Sequence, residues 1–225
     1  SELRRHCFDC VAQSETGGNQ TKWFSLYKSV GESGYSFGPV QFDTKVNRQG
    51  REVLLECGVP KDVVERLRLL KASQDDIEIT NLRLQGPRSR DIILKESQAY
   101  VDKGLYRIND LSSIGNLKFS TLHILYLLDY HTQFHISVNG KLHGELSRCH
   151  KFTVEWFMNY KKSLKWYNLP GGVGKRDTDR RYSVVRKYAL SYGLWVDEVD
   201  TTSEHTEFNV ELKDKRDEMP EWLRT

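Results

Sequence analysis

Two adjacent glycines, Gly17 and Gly18, constrain this chain more than any other feature of its sequence. Leu3, Cys7, Cys10, Val11 and Ser14 recur at three- and four-residue steps, which predicts a helix over 2–15 with one apolar face. Glycine just past a helix end is a common stop, so the pair ends that helix and leaves Glu15 at its carboxyl end. The following stretch, 22–42, is aromatic and has glycines at 31, 34 and 38. Its short alternating runs predict a hairpin or a small three-stranded sheet.

Beyond the hairpin the patterns are mostly helical. "PKDVVERLRLLK" is an amphipathic helix opened by Pro60 in its first turn. "IEITNLRLQG" alternates like an edge strand stopped at Gly86-Pro87, and "SRDIILKESQAYVDKG" reads as a helix closed by Gly104. "FSTLHILYLLDYHTQFHI" is the most apolar segment and predicts the central core helix. "GELSRCHKFTVEWFMNYKKSLKWYNL" predicts one long helix with Trp156, Phe157, Tyr160 and Leu164 inward, where Trp156 and Trp166 serve as core anchors. After "PGGVGKRD" a helix resumes, capped by Asp177 or Thr178, and after Gly193 "TEFNVELKD" alternates as a strand before a polar tail. The layout is α+β, mainly helical, with a small antiparallel sheet near the amino end.

Composition excludes several classes. With 225 residues, 29% charged and 38% hydrophobic, the chain is long enough and apolar enough for a packed core. A net charge of +3 is too small to point to nucleic acid, though it suits loose attraction to an anionic surface. No apolar run approaches the ~18 residues that span a bilayer, so no stable membrane insertion is expected. The opening on Ser1 instead of Met fits a trimmed, exported product, and a secreted or periplasmic location is expected.

Four cysteines, Cys7, Cys10, Cys57 and Cys149, allow two disulfides, buried thiols, or a structural metal site of Cys7, Cys10 and Cys57 with Cys149 or His150. Disulfides fit export, and no metal or other cofactor is expected. His131 and His135 are one helical turn apart, but the intervening "TQF" lacks the Glu of a zinc-protease helix. "GGVGK" lacks the full spacing of a phosphate loop. Cys149 has no local signature of a catalytic thiol.

Glu15 carries the most specific chemistry. The carboxyl end of a helix is its negative pole, so a partly buried carboxylate there has its ionised form disfavoured. A protonated carboxyl can give its proton to a leaving glycosidic oxygen. The hairpin supplies an opposing wall. Ser36 and Gln41 offer polar groups to a sugar or a water, Glu32 is the nearest second carboxylate, and Trp23, Phe24, Tyr27, Tyr35 and Phe37 offer flat faces.

"SETGGN" followed by "GYSFGPVQF" resembles the lysozyme superfamily, in which a helix ends in the catalytic Glu and a hairpin forms the cleft wall. The phage-type endolysins with pesticin-like toxins, and the goose-type lysozymes with lytic transglycosylases, are the similar branches. The phage-type match gives Ser36 the hydroxyl role, and Gln41 lies where goose-type hairpins carry a Gln. "LPGGVGKRDTDRRYSVVRKYAL" resembles the late phage-type segment and puts Arg180 and Arg181 in a structural or cleft-floor role. The resemblance covers roughly 2–45 and 165–190. Phage-type enzymes carry an Asp near Ser29 or Val30, where this chain has none. Either Glu32 substitutes or a single acid suffices, as in transglycosylases, where a neighbouring sugar hydroxyl attacks and leaves an anhydro end.

The resemblance therefore implies a lysozyme-like catalytic domain over 1–192, with the cleft wall at about 22–45 and a helical core at about 60–192. Residues 193–225 would pack on it as a strand and tail. It implies a monomeric exported bacterial or phage enzyme that cleaves β-1,4 bonds of peptidoglycan, acetylated or deacetylated. Glu15, Glu32 and Ser36 would be catalytic, and Trp23, Tyr35, Phe37 and Gln41 would bind substrate. Glu15, Glu32 and Asp43 together would suit a cationic, deacetylated chain. A lytic transglycosylase and a non-catalytic module that binds glycan or protein are the alternatives.

Overall fold

The computed structural model describes residues 1–28, 32–114 and 117–199, without the side chain of residue 114. The expected strand "TEFNVELKD" and the polar tail lie outside the described residues. The protein is mainly helical, with one three-stranded antiparallel sheet near the amino end. The order is α1 (Glu2–Thr16), β1 (Tyr27–Lys28), β2 (Tyr35–Phe37), β3 (Phe42–Asp43), α2 (Arg48–Glu56), α3 (Lys61–Arg68) and α4 (Gln74–Leu84). Then come α5 (Pro87–Ile114), α6 (Thr121–Phe134), α7 (Lys141–Leu146), α8 (Val154–Lys162) and α9 (Val173–Ser191). The chain forms two compact units, one of Glu15–Tyr100 and one of Ser1–Ser14 with the chain from Val101 onward.

In the Glu15–Tyr100 unit the sheet runs β1-β2-β3, with Tyr27 opposite Ser36, Ser36 opposite Asp43 and Phe37 opposite Phe42. Phe37 and Phe42 are fully buried with ring centroids 5.6 Å apart, and Tyr100 of α5 meets Phe42 edge-on at 6.0 Å. The start of α2 fits closely against this aromatic cluster. A Cβ at Gly50 would lie 2.7 Å from that of Phe42, so only glycine lets the helix approach. Asn47 caps α2 by accepting from the Gly50 N–H at 3.0 Å.

The expected strand over 77–86 is instead the greater part of α4. Ser73 and Asp76 form a capping box that starts a helix, and Arg66 of α3 forks onto Asp76 with two 2.8 Å bonds. The buried residues Asp76, Thr80 and Leu84 are four apart, a helical step, while Ile79 and Leu82 of the apparent alternation face outward. Asn81 then accepts from the Leu26 N–H at 2.7 Å, which ties α4 to the entry of the hairpin.

The other unit is built on α6, in which every residue from Leu122 to His131 is buried. This agrees with the expected central helix. Phe119, Phe152, Phe157 and Tyr160 pack around it, and the Tyr130 and Tyr160 hydroxyls bond at 2.9 Å. Gly104 does not close α5. It lies in mid-helix, where a Cβ would come within 2.5 Å of Leu128 and 3.0 Å of the His131 ring. The glycine allows close packing on α6 and is no helix stop.

The expected long helix over 144–169 is divided into α7 and α8. Thr153 accepts from the Trp156 N–H at 3.1 Å and starts α8 afresh, and Asp197 accepts from the Val154 N–H at 2.8 Å. Trp156 is half-buried, while Phe157, Tyr160 and Leu164 face inward as expected. The final helix begins at Val173 after a left-handed Gly172, so Asp177 and Thr178 lie inside α9 and cap nothing.

All four cysteines are buried free thiols, against the expected disulfides. Cys7 and Cys10 share the apolar face of α1, and burial raises the thiol proton affinity at Cys10, Cys57 and Cys149, which disfavours the thiolate needed for oxidation. Among the described residues no group of three or more His, Cys, Asp or Glu is placed to hold a metal. No described helix is long and apolar enough to cross a membrane.

Two measurements check this packing. Gly104→Ala should cost about 1–3 kcal/mol by overpacking α5 against α6, read as a lower denaturation midpoint at unchanged m-value. Glu96, buried on α5 with Gln49 donating to its backbone carbonyl at 3.1 Å, has its pKa raised by burial. Its folded form binds its proton more tightly than its unfolded form, so its contribution to stability falls as pH rises from the unfolded through the raised folded value. Glu96→Gln should therefore raise the unfolding midpoint more at pH 7 than at pH 4, and an equal change at both would contradict this.

Candidate functional site

Glu15 occupies the penultimate position of α1, in a last turn that holds no basic residue. Gly17 and Gly18 follow with φ of 62° and 74°, the left-handed region where a Cβ is disfavoured, so the helix stops here as the sequence predicts. The side chain is half-buried. Its charge also reaches Tyr100, whose phenol is pushed up by burial and then by Glu15.

The chain returns from α1 to the sheet through Trp23. The indole Nε1 donates to Thr16 Oγ1 at 2.9 Å, and the Trp23 carbonyl accepts from the Gly38 N–H at 3.0 Å. Trp23 thus joins the residue after Glu15 to the β2–β3 turn. Its polar edge serves as a brace, while the side chain as a whole is half-buried. Gln41 acts similarly: its amide donates to the Gly38 carbonyl at 2.9 Å and the Lys22 carbonyl at 3.2 Å. Gln41 also holds φ at 52°, a strained value for a residue with a Cβ.

Cross-strand partners share a face of a sheet. Tyr27, Ser36 and Asp43 therefore lie on one face, and Lys28, Tyr35, Phe37 and Phe42 on the other. This divides the expected site. Ser36 is buried opposite Asp43. Phe37 is fully buried against Phe42 and supports the hairpin from within, so it offers no face to a ligand. Tyr35 is half-buried with the Lys28 ammonium 5.7 Å from its ring centre. Glu32 is exposed, and its backbone carbonyl accepts from the Lys45 ammonium at 2.7 Å.

Asp43 is the carboxylate that the sequence left in the background. Register brings it beside Ser36, seven residues away in the chain. Its Oδ1 accepts from the Lys45 N–H at 2.8 Å and its Oδ2 from the Gly34 N–H at 3.3 Å, which fixes it at the sheet edge. A Cβ at Gly34 would meet Asp43 Oδ1 at 2.6 Å, so glycine there makes room for the carboxylate. The usable signal was the two-residue spacing between Gln41 and Asp43 after a glycine turn, and it needed a strand register to be read.

No protein family matches this chain, and neither a curated protein nor a solved structure matches it. The geometry therefore carries the functional reading.

In the other unit, a buried charge cluster holds the last turns of α1. Ser14, the residue before Glu15, donates to Asp129 Oδ1 of α6 at 2.5 Å. Arg181 donates to the same oxygen at 2.8 Å, and Arg180 donates to the Ser14 carbonyl at 2.8 Å. Asp177 accepts from both arginines and from Gln133 at 2.7 Å. Burial opposes its charge, yet the Arg181 and Arg180 guanidinium groups outweigh this and hold its pKa below the usual carboxylate range. Lys161 is buried 4.0 Å from Asp129 Oδ2, and burial lowers its pKa. Of the structural and cleft-floor roles expected of the two arginines, these bonds describe a structural one.

Replacing Arg181 by Met strands the Asp129 carboxylate and should cost about 3–5 kcal/mol in chemical denaturation. Arg181→Met with Asp129→Leu and Lys161→Met, which leaves no buried charge of this group unpaired, should recover most of the loss, and a triple variant as unstable as the single would refute this account.

Proposed function

We propose that this protein cleaves the β-1,4 bond between the amino sugars of peptidoglycan, with Glu15 as the proton donor, in a lysozyme-like arrangement. The observation that carries the reading is a half-buried carboxylate at the glycine-terminated end of α1, followed by an antiparallel sheet that pairs Ser36 with Asp43. Glu15 gives its proton to the glycosidic oxygen as that oxygen leaves the anomeric carbon. Water then adds to the anomeric carbon, and its proton passes to the second carboxylate. Asp43 is assigned that role in place of Glu32, because Asp43 is the cross-strand partner of Ser36 while Glu32 is exposed. The work of this enzyme would lie outside the membrane, on an exported protein.

One observation favours a second reading. Both Asp43 oxygens already accept backbone N–H bonds, which leaves fewer lone pairs to activate water. A hairpin so engaged suits attack by the neighbouring sugar hydroxyl with an anhydro product, or glycan binding without cleavage.

Mass spectrometry of muropeptides released from purified sacculi tests these readings. Hydrolysis predicts reducing-end products that fall at least about 100-fold in Glu15→Gln, the usual range for loss of a general acid. Anhydro-ended products would establish transglycosylation. Absence of product from the native protein on acetylated and deacetylated walls would overturn cleavage.

A further inference from the structure

Several cations of the Glu15–Tyr100 unit meet carboxylates: Arg48 faces Glu52, Arg66 meets Asp62 and Asp76, and Arg68 meets Glu65. Arg51 and Lys45 donate to backbone carbonyls. Three others sit on rings. The Lys22 ammonium lies 4.6 Å from the Tyr27 ring centre, Lys28 lies 5.7 Å from that of Tyr35, and the Arg90 guanidinium lies 4.7 Å from that of Phe24. Among the described residues, Lys22 makes no ion pair with a carboxylate. The stretch from Asn19 to Arg51 carries five basic residues against two acidic ones, and one of the two, Asp43, is tied to backbone N–H groups.

Lys22 lies over Tyr27, on the face that carries Ser36 and Asp43. Tyr27 shares its face with Ser36 and Asp43 and is 47% exposed, so part of the side chain remains in solvent beside Lys22. The backbone of Lys22 is fixed, because the strained Gln41 spends one amide N–H on the Lys22 carbonyl. A cation over a π face keeps donors free for an anion on its other side. Lys28 belongs to the opposite face, with Tyr35 and the buried Phe37 and Phe42.

We infer that Lys22, seated on Tyr27, selects a glycan strand that bears carboxylates over one that is neutral or cationic. The sugar's apolar face stacks on Tyr27 while a carboxylate on the same residue or its neighbour meets the Lys22 ammonium. This rests on the reading of the Ser36–Asp43 face as a glycan wall, and it disfavours the deacetylated, cationic strand as the preferred ligand.

The test uses peptidoglycan strands freed of stem peptides, whose lactyl carboxylates are exposed, the same strands with those carboxyls amidated, and neutral chitohexaose. Dissociation constants are measured for the full chain and for Lys22→Gln and Lys28→Gln, with thermal unfolding to show that the variants fold. The native protein should bind the carboxylate strand about fivefold more tightly than the amidated one at low salt, the scale of one partly exposed ion pair. That preference should vanish in Lys22→Gln and in about 0.5 M salt, where screening is strong, and persist in Lys28→Gln. Equal native binding to both strands, no binding to any of the three ligands, or equal loss in both variants would overturn the inference. Cleavage scored on the same strands separates the two proposals. Preference without products would sink the enzyme and keep the Lys22 contact, while equal cleavage and binding of both strands would keep the enzyme and sink the contact.

Discussion

The helical unit depends on one buried carboxylate. Asp129 is buried on α6, and an isolated charge there would be strongly unfavourable. Ser14 and Arg181 bond directly to it, and Lys161 stands at 4.0 Å, so α1, α9 and α8 are each held in place by the same group. A buried pair of this kind adds little net stability relative to apolar packing, but it admits few geometries. The last turns of α1 are therefore fixed by donors that only one placement of α9 can supply.

In the sheet unit the equivalent constraint is aromatic. Phe42 is enclosed by Phe37, by the edge-on ring of Tyr100 and by the bare backbone of Gly50. Strands of two or three residues have too few ladder bonds to stand alone. Burial of Phe37 and Phe42 supplies what the ladder lacks, and it leaves the opposite face, with Tyr27, Ser36 and Asp43, to carry polar groups. Trp23 and Gln41 complete the arrangement through hydrogen bonds to Thr16, Gly38 and Lys22. A strained backbone at Gln41 persists because these contacts over-determine it.

Features with a local cause were legible in the sequence. The first helix and its glycine stop, the small sheet and the apolar α6 all follow from spacing or from single residue types. Misreadings came where one pattern served two structures. Alternation over Ile77–Leu84 fits a strand, but the Ser73–Asp76 capping box and the four-residue burial step make it a helix. Gly104 has the spelling of a stop, yet it is a contact point against Leu128 and His131. Thr153 restarts a helix inside a stretch that looked continuous, since a cap acts through a hydrogen bond that periodicity does not register.

The sequence by itself determined that Glu15 ends a helix and that a glycine-rich aromatic sheet follows, because helix termination and tight turns depend on backbone freedom encoded residue by residue. Tertiary structure alone decided which side chains of the sheet share a face and which serve the core. Phe37 and Ser36 are neighbours in sequence but face opposite ways, and Asp43 reaches Ser36 only through strand register. Arg180 and Arg181 reach Ser14 from more than 160 residues away. Such pairings depend on how elements pack, which is set by the collective burial of apolar faces and the need to satisfy each buried charge.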